Sequence, residues 1–212
     1  MASHVLHLFF AFRALSEDAI PEAQRPAFML GALAPDMVAS HREKRRTHYS
    51  VHVGITWGYR FRSFERAFLD YGDRSIAYRW FRDGYRHHLR MDDLWMRTCG
   101  HRALLRMAPR LPAGRDEVLA AYYAEMSALD SYACPRFPPE SIERAMRCLQ
   151  RVDLRVLPPW IVREQATQVL AQVVQRAQKT LAGQARAFEG RYIRRSEAER
   201  FLCRATAVST SR

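Results

Sequence analysis

At 212 residues the chain has the length of one domain, and a 48% hydrophobic share with 11 Phe, 9 Tyr and 4 Trp excludes a largely disordered polymer. Lys plus Arg outnumber Asp plus Glu by 34 to 22, and the resulting +12 is carried almost wholly by Arg. This favours anionic partners but does not separate nucleic acid from a phospholipid surface or a small phosphoester. Cys99, Cys134, Cys148 and Cys203 show no C-x-x-C spacing, so neither a zinc ribbon nor a disulfide framework is indicated, and reduced, partly buried thiols are the expectation.

Ser3 is placed to cap a first helix carrying Leu6, Phe9, Phe10 and Phe12 to Leu15. Its apolar run from Val5 to Phe12 is short, is interrupted by His7, and has neither a basic leader nor a cleavage site, so no secretion signal is expected. No stretch reaches the roughly 18 apolar residues of a membrane span. The expectation is a cytoplasmic protein with no transmembrane segment, with peripheral membrane contact left open. Ile20-Pro21 and Arg25-Pro26 break the chain, and the next segment, Ala27 to Val38, ends at Ala34-Pro35-Asp36, where proline sets Asp36 at a turn. The polar stretch His41 to Arg46 reads as a loop that delivers His48.

Val51 to Ile55 has extended character, without a convincing strand pair. Helical spacing returns in Ser63–Tyr71 and Ser75–Trp95, and again in Asp116–Asp130 after Pro109, Pro112 and Gly114. Ser141 is expected to cap a helix, and Pro158-Pro159 precede a long amphipathic helix over Trp160–Phe188. The fold class is all-α. Residues 1–135 are expected to form a helical core and 136–212 a set of C-terminal helices packing on it, with disorder open for roughly the last 15 residues. Half of the excess positive charge lies from Asp153 onward.

The sharpest local feature is Gly84-Tyr85-Arg86-His87-His88-Leu89-Arg90-Met91-Asp92-Asp93-Leu94-Trp95. On a helix His88 and Asp92 share a face, and a neutral imidazole beside a carboxylate suits zinc or a similar divalent ion, although an ordinary ion pair has the same spacing. His7 in the apolar first helix, Asp36 after proline and His48 after a basic run are further candidate ligands. Each also has a plain structural reading, as core histidine, helix cap and surface residue.

The order of these segments resembles the zinc-dependent phospholipase C family, including its short prokaryotic members. The residues that carry it are Ser3-His4-Val5-Leu6-His7 with Ala11, Phe28 to Asp36, Thr47-His48-Tyr49, and the Gly84–Trp95 block, about the first 100 residues in all. A looser likeness lies in Tyr122, Glu125, Leu129 and Asp130. The resemblance implies a multi-helix bundle of the phospholipase C and P1 nuclease type. It further implies one zinc surrounded by Asp36, His48, His88 and Asp92, with Asp92 bridging toward a second ion at His7.

The chain departs from the secreted members in having no His-x-x-x-Glu and in beginning with Met1, which puts a three-zinc centre in doubt and leaves His87, Glu125 and Asp130 as substitutes. The implied function is a metal-dependent hydrolase of phosphoesters, phospholipid head groups or related phosphodiesters, with Asp36 as ligand or general base. Arg42, Arg45, Arg46, Arg86 and Arg90 could add positive charge near a phosphate. The alternative is a non-catalytic basic helical module that binds nucleic acid or another anionic partner. A His-Asp phosphohydrolase is excluded because no His is followed by Asp, and there is no Gly-x-Ser-x-Gly or phosphate-binding glycine loop.

Overall fold

A computed structural model describes residues 3–15, 20–38, 40–53, 56–71, 75–183 and 188–210, and the chain is predominantly helical. Helix α1 (His4–Leu15) is buried on nearly every side from Val5 to Phe12, as expected of a helix without a polar face. Ser3 caps it, its hydroxyl accepting the Leu6 N–H at 3.1 Å.

Helix α2 (Arg25–Leu33) carries Pro26 in its first turn and runs into a 3-10 turn, Ala34–Asp36. It lies against α5 (Ile76–Trp95), whose first turn is capped by Ser75. Their approach is set by two glycines. A Cβ on Gly31 would stand 1.9 Å from the Phe81 carbonyl oxygen, and one on Gly84 would stand 2.0 Å from that of Phe28. Only residues without a side chain allow the two backbones so close. Helix α5 continues through a π-turn at Met96–Gly100 into α6 (His101–Met107).

Between α2 and α5 the structure corrects two expectations. Residues 41–46 are not a loop: they form most of α3 (His41–Thr47), which opens with a capping box between Ser40 and Glu43. Lys44, Arg45 and Arg46 occupy its last turn, where cations oppose the negative end of the helix dipole. Strands β1 (Ser50–Val53) and β2 (Thr56–Tyr59) then pair antiparallel, Ser50 opposite Tyr59 and Val53 opposite Thr56, so a strand pair does exist. Ile55, part of the expected extended run, lies outside the described residues. Tyr49 joins α3 to β1 with a φ of 48°, the left-handed conformation that commonly ends a helix. Helix α4 (Phe61–Asp70) follows.

Helix α7 (Leu111–Ala133) is longer than expected because the chain resumes a helix at Leu111, with Gly114 extended inside it. Helix α8 (Pro139–Gln150) starts before Ser141, which lies within it and is not its cap. The long helix expected over 160–188 is α9 (Arg163–Ala182); Trp160 and Ile161 belong to the turn after Pro158-Pro159, and residues 184–187 are outside the described set. A further helix, α10 (Arg195–Thr210), occupies most of the stretch where disorder was left open, and it buries Ala198, Phe201, Leu202 and Ala205. Helices α8, α9 and α10 all contact α1 and share its core. The four cysteines are free. Among the described residues, no helix is long and apolar enough to cross a membrane.

Candidate metal centre

His7, Asp36, His48, His88 and Asp92 come from α1, the turn after α2, the end of α3, and α5, and all five are at most 3% exposed. Asp92 is central. One of its oxygens lies 3.2 Å from His7 Nε2, and the other lies 3.4 Å from His48 Nε2 and 3.5 Å from His88 Nε2. Asp36 Oδ1 stands 3.3 Å from His48 Nε2. The ligand atoms fall into two triads, His7–His88–Asp92 and Asp36–His48–His88, each within 4.8 Å. The sequence-derived set therefore meets in one place.

Backbone packing decides which nitrogen each ring turns inward. His48 Nδ1 lies 2.7 Å from the Lys44 carbonyl oxygen, and His88 Nδ1 lies 2.8 Å from that of Ala32. A carbonyl can only accept, so both Nδ1 atoms donate, and in the neutral rings both Nε2 atoms present lone pairs. These Nε2 atoms are 3.1 Å apart. Two lone pairs so close repel unless a cation lies between them, either a proton on one ring or a metal ion held by both. Further bonds fix the frame: the Thr47 hydroxyl donates to the Pro35 carbonyl at 2.7 Å, and the Tyr85 hydroxyl donates to the Thr47 carbonyl at 2.5 Å.

Several distances are of the size a metal ion needs. Ligands at about 2.0–2.1 Å from a tetrahedral zinc stand about 3.3–3.4 Å from each other, and four of the six separations among Asp36, His48, His88 and Asp92 run from 3.1 to 3.5 Å. His7 differs from the other two imidazoles. Its Nε2 meets Asp92, its ring stacks on His88 with centroids 3.7 Å apart, and its buried Nδ1 has no hydrogen-bond partner among the described residues.

Electrostatics keep the two carboxylates ionised. Burial works against the charged forms of Asp36 and Asp92, yet both are held well below the usual carboxylate range, Asp36 chiefly by Lys44 and Asp92 by His7 and His88. Burial likewise disfavours charge on His88, but Asp92 and Asp36 outweigh it and raise its pKa. Burial and the neighbouring His88 push His7 down to about 4, so it stays a neutral ring near pH 7. Two buried carboxylates thus face Lys44, and their second counter-charge is supplied by a proton on His88 or by a bound ion.

Three contributors were not expected from the sequence. Lys44 Nζ lies 2.7 Å from Asp36 Oδ1, His4 Nε2 lies 3.4 Å from Asp36 Oδ2, and Tyr59, its hydroxyl pKa raised chiefly by burial, also feels the charge of Asp92. His4 could have been flagged by its i, i+3 spacing from His7. Lys44 sits inside a polar run with no such signal.

The substitutes proposed for a third ion stand elsewhere. Glu125 accepts backbone N–H groups from Arg191, Tyr192 and Ile193. Asp130 takes the Ser3 hydroxyl, and His87 turns to Phe28, with ring centroids 5.8 Å apart. Of the arginines considered, Arg86 is spent on Glu65 and Asp83. Arg45 borders a cavity of about 410 Å³ that reaches His48 and Tyr59 and has Met96, Leu104 and Leu119 in its wall.

Compared with models of known families, with curated proteins and with solved structures, the chain matches none.

Proposed function

We propose that this protein is a divalent-metal-dependent hydrolase of phosphoric esters, with zinc as the preferred ion and phospholipid head groups or related phosphodiesters as the substrate class. The observation that carries the reading is the compact cluster in which His48 and His88 turn carbonyl-anchored imidazoles toward two buried carboxylates. Outer hydrogen bonds of this kind are what orient histidine ligands in metal sites. Two neutral nitrogens and two carboxylate oxygens match the ligand preferences of zinc. A bound ion would supply Lewis acidity toward a phosphoryl oxygen and acidify a water at neutral pH.

Within this reading the residues have distinct tasks. Asp36, His48, His88 and Asp92 hold the ion. Asp36 is a better ligand than base, because Lys44 keeps its carboxylate ionised and already occupies one oxygen. Asp92 spans the centre, and His7 donates from Nε2 to its outer oxygen. The 410 Å³ cavity beside His48 gives an ester access, its apolar wall set against Arg45 and Arg115.

The test is metal analysis of protein purified without chelator, paired with hydrolysis of bis-p-nitrophenyl phosphate and of phosphatidylcholine vesicles. About one equivalent of zinc is expected, with His88→Ala and Asp36→Asn losing both ion and hydrolysis. A well-folded wild type that holds no ion and takes none up on titration overturns the reading.

A further inference from the structure

The chain contains only two lysines, Lys44 and Lys179, and both line one cleft of about 590 Å³ together with Arg176. Asp36 lines this cleft, with His4 beside it, so the cleft reaches the edge of the metal centre. Two carboxylates also reach the cleft, and both are engaged: Asp36 with Lys44, Asp130 with the Ser3 hydroxyl. Arg176 acts on Asp130 and His4 only through space. Neither it nor Lys179 makes an ion pair among the described residues, and they stand three apart on α9, where like charges repel along one helix face. Hydroxyls of Ser127 and Thr180 border the same space.

We propose that this cleft is an anion subsite for a phosphate group that is not cleaved, so that the substrate carries at least two phosphoryl groups. The identification of that anion as part of a substrate rests on the hydrolase reading, but the subsite itself does not. Lys44 has the pivotal place, because it holds Asp36 and lines both this cleft and the 410 Å³ cavity. A molecule with one phosphate at the ion would place a second within reach of Arg176 and Lys179. Two cations of this type bind a phosphate dianion through charge-assisted hydrogen bonds.

The experiment is calorimetric titration of chelator-treated protein with inorganic pyrophosphate, so that no metal contributes. Wild type is expected to bind, and Arg176→Ser/Lys179→Ser to bind at least tenfold more weakly with thermal midpoint and zinc uptake unchanged. A charge-matched control, Arg200→Ser/Arg204→Ser on α10, is expected to bind as wild type does. Equal weakening in both double variants, or no binding by wild type, overturns the subsite. Loss of zinc uptake in wild type with pyrophosphate binding intact would instead sink the hydrolase reading alone.

Two further arms identify the source of the phosphate. Co-sedimentation with phosphatidylcholine vesicles containing a phosphorylated phosphatidylinositol, lost in Arg176→Ser/Lys179→Ser, supports a lipid head group. Binding of soluble inositol bisphosphate without vesicle retention supports a free small molecule. Failure of both overturns the subsite as a phosphate site.

Discussion

His48 and His88 meet Nε2 to Nε2 at 3.1 Å while each gives its Nδ1 proton to a carbonyl of a different helical segment, Lys44 in α3 and Ala32 in α2. The two rings are therefore tied to the backbone before any ligand arrives, and the inward lone pairs are a product of packing.

His7 has no such anchor, since its Nδ1 lacks a partner among the described residues and its Nε2 is directed at Asp92. It should behave as a support for Asp92. His7→Ala is expected to keep one equivalent of zinc with affinity reduced about 10–100-fold, the usual cost of losing an outer partner, whereas His48→Ala and His88→Ala should retain none at comparable zinc. Competition with a chromogenic chelator measures this. Complete loss of the ion in His7→Ala would make it a direct ligand.

The Gly31–Gly84 crossing links stability to the site, because α5 carries His88 and Asp92 and α2 carries the carbonyl that orients His88. Gly84→Ala puts a methyl 2.0 Å from the Phe28 carbonyl oxygen, and backbone cannot move aside as a flexible side chain can. A loss of about 3 kcal/mol or more is expected in urea unfolding, with weaker zinc binding in whatever remains folded. A variant of wild-type stability would mean that the helices have room to separate.

The five inner residues were legible because each stands at a place with a local signature: the i, i+4 pair His88 and Asp92, Asp36 behind a proline, His7 in a helix with no polar face, His48 at the end of a basic run. What was hidden depends on partners distant in sequence. Residues 41–47 look like a loop by polarity alone, and their helix is decided by the Ser40–Glu43 capping box. Lys44 gains its meaning only when Asp36 folds against it. Helix α10 alternates charge with Ala198, Phe201, Leu202 and Ala205, and its amphipathic face becomes useful only once α1 offers a surface.

Glu125 supports that C-terminal part. Its carboxylate accepts the N–H groups of Arg191, Tyr192 and Ile193 at 2.7 to 3.1 Å, and Arg106 holds the same turn through the Tyr192 carbonyl and Glu197. Glu125→Ala leaves three backbone donors without their acceptor and should cost about 2–3 kcal/mol, with faster proteolysis near residues 188–194 and unchanged zinc content. A fall in zinc content with no effect on stability would return Glu125 to the metal centre.

His87 sets an acid limit on the fold. Burial, with some help from His7, His88 and Arg90, pushes its pKa from 6.5 down to about 3, and its Nε2 has no partner among the described residues. The native ring thus resists a proton that the unfolded chain accepts below pH 6.5, so the unfolded state binds more protons there. The contribution is fully present above that pH and is lost as pH falls toward 3. Between about pH 7.5 and about pH 4.5 the two pKa values imply a loss of roughly 2.5 kcal/mol from this ring. His87→Leu removes the titrating group and keeps an apolar side chain against Phe28. Urea unfolding at the two pH values should therefore show wild type losing more stability than the variant by about that amount, and parallel losses would show that the His87 ring takes up its proton in the native state as readily as in the unfolded chain.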